Sequence, residues 1–183
     1  MPSPTRFAPR RRPAGWSLVE CLVAVLVLGV LCAVALPDAR ALLDRQRAAN
    51  ARHLLSTDLA FARLAAIQRH AEVSVCASVE GRHCAGVDAW GSGWMVYEAP
   101  AGSSAPPAAD GVLRHQAWRA PPGWRIVGNR GRSRLRYRPD GRAYGTNLSL
   151  WICRHDHLYG RVVINNTGRV RSEVHDAPGG CIR

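Results

Sequence analysis

Residues 16–36 form an apolar run of 21 residues in which Glu20 carries the only charge. As a helix rising ~1.5 Å per residue the run spans ~30 Å, the thickness of a bilayer's hydrocarbon core. A carboxylate near the middle of such a run costs roughly 2.5–3.5 kcal/mol on insertion scales. Close to the start the cost is smaller, but Glu20 still calls for a partner. Arg6, Arg10, Arg11 and Arg12 precede the run and make a positively charged n-region.

Three fates of this N-terminus compete. A secretory signal would be removed at the A-x-A triplet Ala33-Val34-Ala35. A plain membrane anchor would keep the run and gain nothing from the carboxylate. Cleavage after Gly15 would instead make Trp16 the new N-terminus and leave Glu20 close behind it. The fresh α-amino group of one copy then neutralises Glu20 of its neighbour, in a medium where Coulomb attraction is strong. Only this third fate uses the charge, as an assembly signal. A twin-arginine signal fits poorly, because Arg10-Arg11-Arg12 runs directly into Pro-Ala-Gly.

The chain after residue 37 is long enough for one domain with a core. The formal net charge is +12, and all 25 basic residues are arginine. Residues 16–100 hold 7 Arg against 8 acids, a net of −1, whereas residues 101–183 hold 14 Arg against 5 acids, a net of +9. Codon bias would act on both halves alike, so the asymmetry belongs to the protein. Cys21 and Cys32 lie in the apolar run as small apolar residues. Cys76, Cys84, Cys153 and Cys181 form an even set in what reads as an exported domain. Four cysteines permit three pairings. The expected one is Cys76–Cys84 as a loop staple and Cys153–Cys181 as a tie for the C-terminus.

Residues 38–71 contain neither Gly nor Pro and are rich in Ala, Leu, Arg and Gln. Leu55, Leu59, Ala62 and Ala66 make an apolar helical stripe, so the helix is predicted to continue from the membrane and to pack as a core helix over 50–70. From residue 73 the pattern changes to short strands, predicted at 73–77, 94–98, 112–118, 124–127, 133–138, 148–153, 161–165 and 169–174. Residues 99–111 are a Pro/Ser/Ala loop, and Pro139-Asp140-Gly141 and Asn165-Asn166-Thr167-Gly168 are turn chemistry.

Gly15 followed by Trp-Ser-Leu-Val-Glu resembles the class III leader of type IV pilins and pseudopilins. In that family a prepilin peptidase cuts after the glycine and methylates the new N-terminus. Its usual first mature residue is Phe, and Trp16 keeps the aromatic character. Pro37 matches the family's helix-bending proline. The Cys-flanked loop "CASVEGRHC" followed by "WGSGWMVYE" resembles the FimT/GspH family, and "RVVINNTGRVR" resembles its final hairpin ending in Gly-Arg-x-Arg. The resemblance covers nearly the whole chain. It implies an α+β, type IV pilin-like fold: a long N-terminal helix, membrane-spanning in its first half, packed on a C-terminal antiparallel β-rich domain. The implied layout is a leader at 1–15, a transmembrane half-helix at 16–37, a soluble half at 38–72 and a globular domain at 73–183.

No enzymatic motif such as G-x-S-x-G or H-E-x-x-H is present, so no catalysis is expected. In "CRHDH" an extended chain would put Cys153, His155 and His157 on one face, as zinc ligands require. There is no second spaced ligand pair, and Cys153 suits a disulfide, so neither a metal nor a cofactor is expected. The strongest chemical signal is "NRGRSRLRYR". As a strand it would set Arg130, Arg132, Arg134, Arg136 and Arg138 on one face, ~6.7 Å apart. Two readings of that face stand level. It is a solvated, salt-screened surface relieved by Asp110, Asp140 or Asp156, or it is a track of guanidiniums that grip phosphates. Gly168-Arg169-Val170-Arg171 tips the balance to phosphate: the glycine permits a tight turn that presents Arg169 and Arg171, and in FimT-type minor pilins such a motif is associated with DNA binding during uptake.

The resemblance therefore implies a minor pilin of a type IV pilus that binds double-stranded DNA without sequence preference in natural transformation. Its other partners would be major and minor pilins, the prepilin peptidase and the inner membrane before assembly into a surface fibre. The alternative is a GspH-like minor pseudopilin of a type II secretion system, with a structural tip role and no DNA binding.

Overall fold

The computed structural model describes residue 15 and residues 17–99, 111–145 and 147–181. Helix α1 (Leu18–Arg69) runs for 52 residues. The Ser17 hydroxyl accepts the N–H of Glu20 at 3.2 Å, an N-cap with Glu at the third helical position. The chain divides into two compact units, Met1–Leu43 and Asp44–Arg183. In the first unit apolar side chains such as Leu22, Leu26 and Val34 are exposed, and α1 is long and apolar enough to cross a membrane.

In the second unit α1 buries Ala48, Ala51, Leu55, Leu59, Ala62 and Ala66, a stripe at helical spacing that includes all four predicted positions. The helix ends at Arg69, and His70 turns the chain with φ 50°. Eight strands follow: β1 (Val73–Ala77), β2 (Trp94–Glu98), β3 (Val112–Gln116), β4 (Trp124–Gly128), β5 (Arg134–Tyr137), β6 (Leu148–Arg154), β7 (His157–Ile164) and β8 (Val170–Pro178). They form two four-stranded sheets ordered β3-β2-β1-β5 and β4-β6-β7-β8, and every pairing is antiparallel. All eight predicted strands are present. The last two are longer than expected, because residues 154–160, outside the predicted strands, contain only a two-residue turn at His155 and Asp156. His155 takes φ 52° and Arg154 pairs with His157, so β7 starts at once.

One core joins the helix stripe to Val75, Trp94 and Leu135 of the first sheet and Ile126, Leu150, Ile152 and Val162 of the second. β1 is buried on both faces. A second cluster of Cys76, Met95 and Tyr97, with Cys84 packed against it, accounts for its outer face. Both expected disulfides are present, Cys76–Cys84 and Cys153–Cys181, while Cys21 and Cys32 are free and exposed.

Two buried carboxylates fasten the helix. Asp58 accepts the Trp94 indole N–H and an Arg114 N–H, both at 2.8 Å, which ties α1 to β2 and β3. Asp44 accepts from Arg154 at the end of β6 and lies 3.6 Å from Arg47. Replacing Asp58 by Ala strands a buried indole N–H, and about 1–3 kcal/mol of stability is expected to be lost. Urea unfolding of a fragment lacking residues 1–37, followed by tryptophan fluorescence, reads this directly. An unchanged midpoint would mean that Asp58 does not fasten the helix.

Candidate nucleic-acid interface

The segment 130–138 is not one long strand. Gly131 takes φ 79° and Arg132 N–H bonds back to Asn129 C=O at 3.3 Å, so a turn interrupts the alternation. β5 contains only Arg134 and Arg136, both half-buried, on the face opposite the buried Leu135 and Tyr137. Arg130 and Arg132 come from the preceding turn, and Arg138 follows the strand. The expected row of five evenly spaced guanidiniums is therefore corrected: the arginines are gathered by turns, not by a single pleat.

They are gathered nonetheless. Arg130, Arg132, Arg134 and Arg136 line a cavity of about 550 Å³ with Tyr144 and Gly145. After the Pro-Asp-Gly turn the chain doubles back, with Tyr144 N–H donating to Arg136 C=O at 2.8 Å. The Tyr144 ring thus comes under the guanidiniums of Arg136 and Arg138, 4.7 and 5.6 Å from its centroid, at cation–π distance. Arg132 donates through Nη2 to the Tyr144 carbonyl. Its Nη1 is buried with no hydrogen-bond partner among the described residues. Burial, then the neighbouring Arg136 charge, lower the Arg132 pKa from its ordinary value. Burial also raises the Tyr137 pKa above the ordinary phenol range, so this side chain stays neutral and offsets none of the charge.

The acids considered as relief have other engagements. Asp140 accepts the backbone N–H of Arg142 at 2.9 Å, Asp156 lies 3.8 Å from Arg125, and Asp110 lies outside the described residues. Along β8, Arg161 and then His175 hydrogen-bond Glu173 and hold its pKa below the ordinary carboxylate value. His157 does the same for Asp176.

The β7–β8 turn is organised by Asn165, whose side-chain oxygen accepts from Thr167 Oγ1 at 2.7 Å and Arg169 N at 3.0 Å. Arg169 and Arg171 are both exposed. Gly168 is buried with φ 78°, and a Cβ there would stand 2.0 Å from the Gly141 carbonyl oxygen. Its part is to seat the turn, since it presents no surface itself. Gly141 C=O also accepts Arg63 Nε–H at 3.0 Å, and Ala143 N–H donates to Asn166 C=O at 3.0 Å. The turn that carries Tyr144 is thereby joined to the turn that carries Arg169.

Elsewhere, the candidate zinc face is dispersed: Cys153 is in a disulfide, His155 is in a turn, and His157 bonds Asp176 at 2.6 Å. No group of three or more possible metal ligands occurs among the described residues. Gly15 is exposed, Trp16 lies outside the described residues, and Glu20 is exposed in the first turn of α1. Sequence reasoning missed Tyr144 and the Ser17 cap. The signals were there, as a Pro-Asp-Gly turn able to return an aromatic to the arginines and as an S-x-x-E box.

The family description Type II transport protein GspH matches residues 51–168. The chain belongs to the GspH family. GspH-type proteins are minor pilins and pseudopilins, structural subunits and not enzymes, and membership implies association with other pilins. The apolar helix is consistent with a membrane anchor. The fold is similar to a crystal structure of the type IV minor pilin FimU of Pseudomonas aeruginosa, with TM-score 0.53 and 20% identity over 75% of this chain and 93% of that one. A second crystal form of FimU matches with TM-score 0.50 and 20% identity over 68% and 90%. The minor pseudopilin EpsH from the Type 2 Secretion System of Vibrio cholerae matches with TM-score 0.44 and 16% identity over 69% and 96%. No curated protein matches the sequence.

Two glycines separate backbone strain from packing. Gly131→Ala is expected to cost about 1–3 kcal/mol for a left-handed backbone alone, since its surroundings are open. Gly168→Ala should cost more, because its Cβ also meets a backbone oxygen. Equal urea midpoints for the two variants would show that the β7–β8 turn is not seated on Gly141.

Proposed function

We propose that this GspH-family chain is a minor pilin of a type IV pilus that binds extracellular DNA and serves its uptake in natural transformation. The observation that supports the reading is the junction of the two arginine-bearing turns: Ala143 N–H donates to Asn166 C=O, and Gly168 seats against Gly141. On this reading Arg130, Arg132, Arg134, Arg136 and Arg138 would border the same surface as Arg169 and Arg171. Guanidiniums grip phosphate oxygens through paired N–H donors, and such contacts carry no sequence information. Among the described residues no recognition helix accompanies them, so binding would be to duplex backbone without base preference.

The N-terminus fits the same role. A prepilin peptidase would cut after Gly15 and methylate Trp16 in the inner membrane, and Glu20 would neutralise the amino group of a neighbouring subunit as the chain enters the fibre. The rival reading, a structural tip pseudopilin of a type II secretion system without DNA binding, is favoured by the description of the family that matches residues 51–168.

A fragment lacking residues 1–37 should bind duplex DNA weakly. With about four phosphates engaged, log K should fall against log salt with a slope of roughly −3.6. Replacing Arg169 and Arg171 by Gln should remove about two contacts and flatten the slope by roughly 1.8. Titrations at two salt concentrations decide. Absence of salt-dependent binding by the wild type favours the pseudopilin, whereas an unaltered double variant would remove Arg169 and Arg171 from the interface.

Mass spectrometry of the membrane fraction should find a chain that starts at an N-methylated Trp16. Glu20→Ala should leave that processing intact and reduce incorporation into fibres. A chain starting at Leu36 would overturn the pilin processing scheme.

A further inference from the structure

The cavity beside Tyr144 has more in it than a phosphate track requires. At about 550 Å³ it falls within the ~300–1,000 Å³ typical of ligand pockets. Arg132 has one guanidinium nitrogen committed to the Tyr144 carbonyl and another buried without a partner among the described residues. Arg132, Arg134 and Arg136 line the same cavity, and a small turn of the Arg132 guanidinium would let an anion there satisfy the orphaned donor. The lowered Arg132 pKa has the direction that a bound anion would reverse.

Tyr144 sets the identity of the rest of the ligand. Its ring lies under Arg136 and Arg138 and is still 48% exposed. Duplex DNA keeps its bases stacked inside and offers its backbone outward, so an open tyrosine among arginines gains little from it. Proteins that hold single strands combine cationic side chains for the backbone with an aromatic ring on which a base stacks, and every base has such a face.

We infer that this cavity takes an unpaired nucleotide of a DNA strand, with its phosphate on Arg132 and Arg136 and its base against Tyr144. The inference rests on the DNA-binding reading and adds to it the form of DNA this site selects: a single strand or a frayed end.

The test uses the full chain in a neutral detergent and an unstructured thymidine oligonucleotide, titrated alone and as a blunt duplex with its complement. The quantity read is the ratio of single-strand to duplex affinity, which a general loss of fold does not raise or lower selectively. In Tyr144→Leu the ratio should fall roughly 5- to 150-fold, the range of one base–aromatic stack. In Tyr144→Phe, which keeps the ring, it should hold. An unchanged ratio in Tyr144→Leu, with duplex still bound, would overturn this inference and leave the DNA-binding reading standing. Binding of neither form by the wild type would overturn both.

Discussion

The alanine-rich stripe of α1 is the constraint on which the rest of the soluble unit depends. Ala48, Ala51, Ala62 and Ala66, with Leu55 and Leu59, all belong to the core that joins the helix to both sheets. On β7 the Arg52 side chain crosses over a glycine: a Cβ on Gly160 would stand 2.5 Å from Arg52 Cδ. Asp58 and Asp44 then fix the helix to one sheet each through buried hydrogen bonds. Helix position in turn sets where the two turns meet. Arg63 reaches from α1 to the Gly141 carbonyl, and Gly168 packs on the same oxygen. The two arginine-bearing turns meet where a helix residue holds the Gly141 carbonyl.

Much of this was legible in the residues. The helical stripe at Leu55, Leu59, Ala62 and Ala66 and the period-two segments from Val73 onward are direct consequences of side-chain periodicity, which sequence records faithfully. Both disulfides followed from loop length and compartment. What escaped were features decided by a turn. The alternating arginines read as one strand because alternation alone does not reveal that Gly131 adopts a left-handed backbone. The segment around His155 read as a loop because its two-residue turn depends on a positive φ at a histidine, which carries no glycine-like signature. Tyr144 acquires its place from a return of the chain that pairs it with Arg136, a contact between residues eight apart whose partner is chosen by the fold.

The two ends of β8 differ in charge for a simple reason. Toward the C-terminus Glu173 and Asp176 each accept hydrogen bonds from cationic neighbours, and both carboxyls titrate below their usual range. Since ionisation is favoured in the fold, these pairs contribute above the unfolded carboxyl pKa and fade as acid protonates them. Asp176 is exposed and Glu173 only half-buried, so solvent screens both and their share of stability is small. Their effect is local neutralisation. The start of the strand, with Arg169 and Arg171, is left as a cationic tip.

The order of strands also governs how the chain can acquire its shape. β4 belongs to one sheet but lies in sequence between β3 and β5 of the other, so neither sheet is complete until the chain has crossed between them twice. The sheets are interlocked by connectivity as well as by shared core. Neither can act as an autonomous early folding unit, and the non-local pairing of β1 with β5 has to close a loop of some sixty residues. Such closure slows folding relative to local hairpins. A chain made N-terminus first has one edge of β1 without its partner until β5 arrives. For that interval the N–H and C=O groups of that edge are unpaired, and anything that shields them decides how much of the chain reaches the folded state.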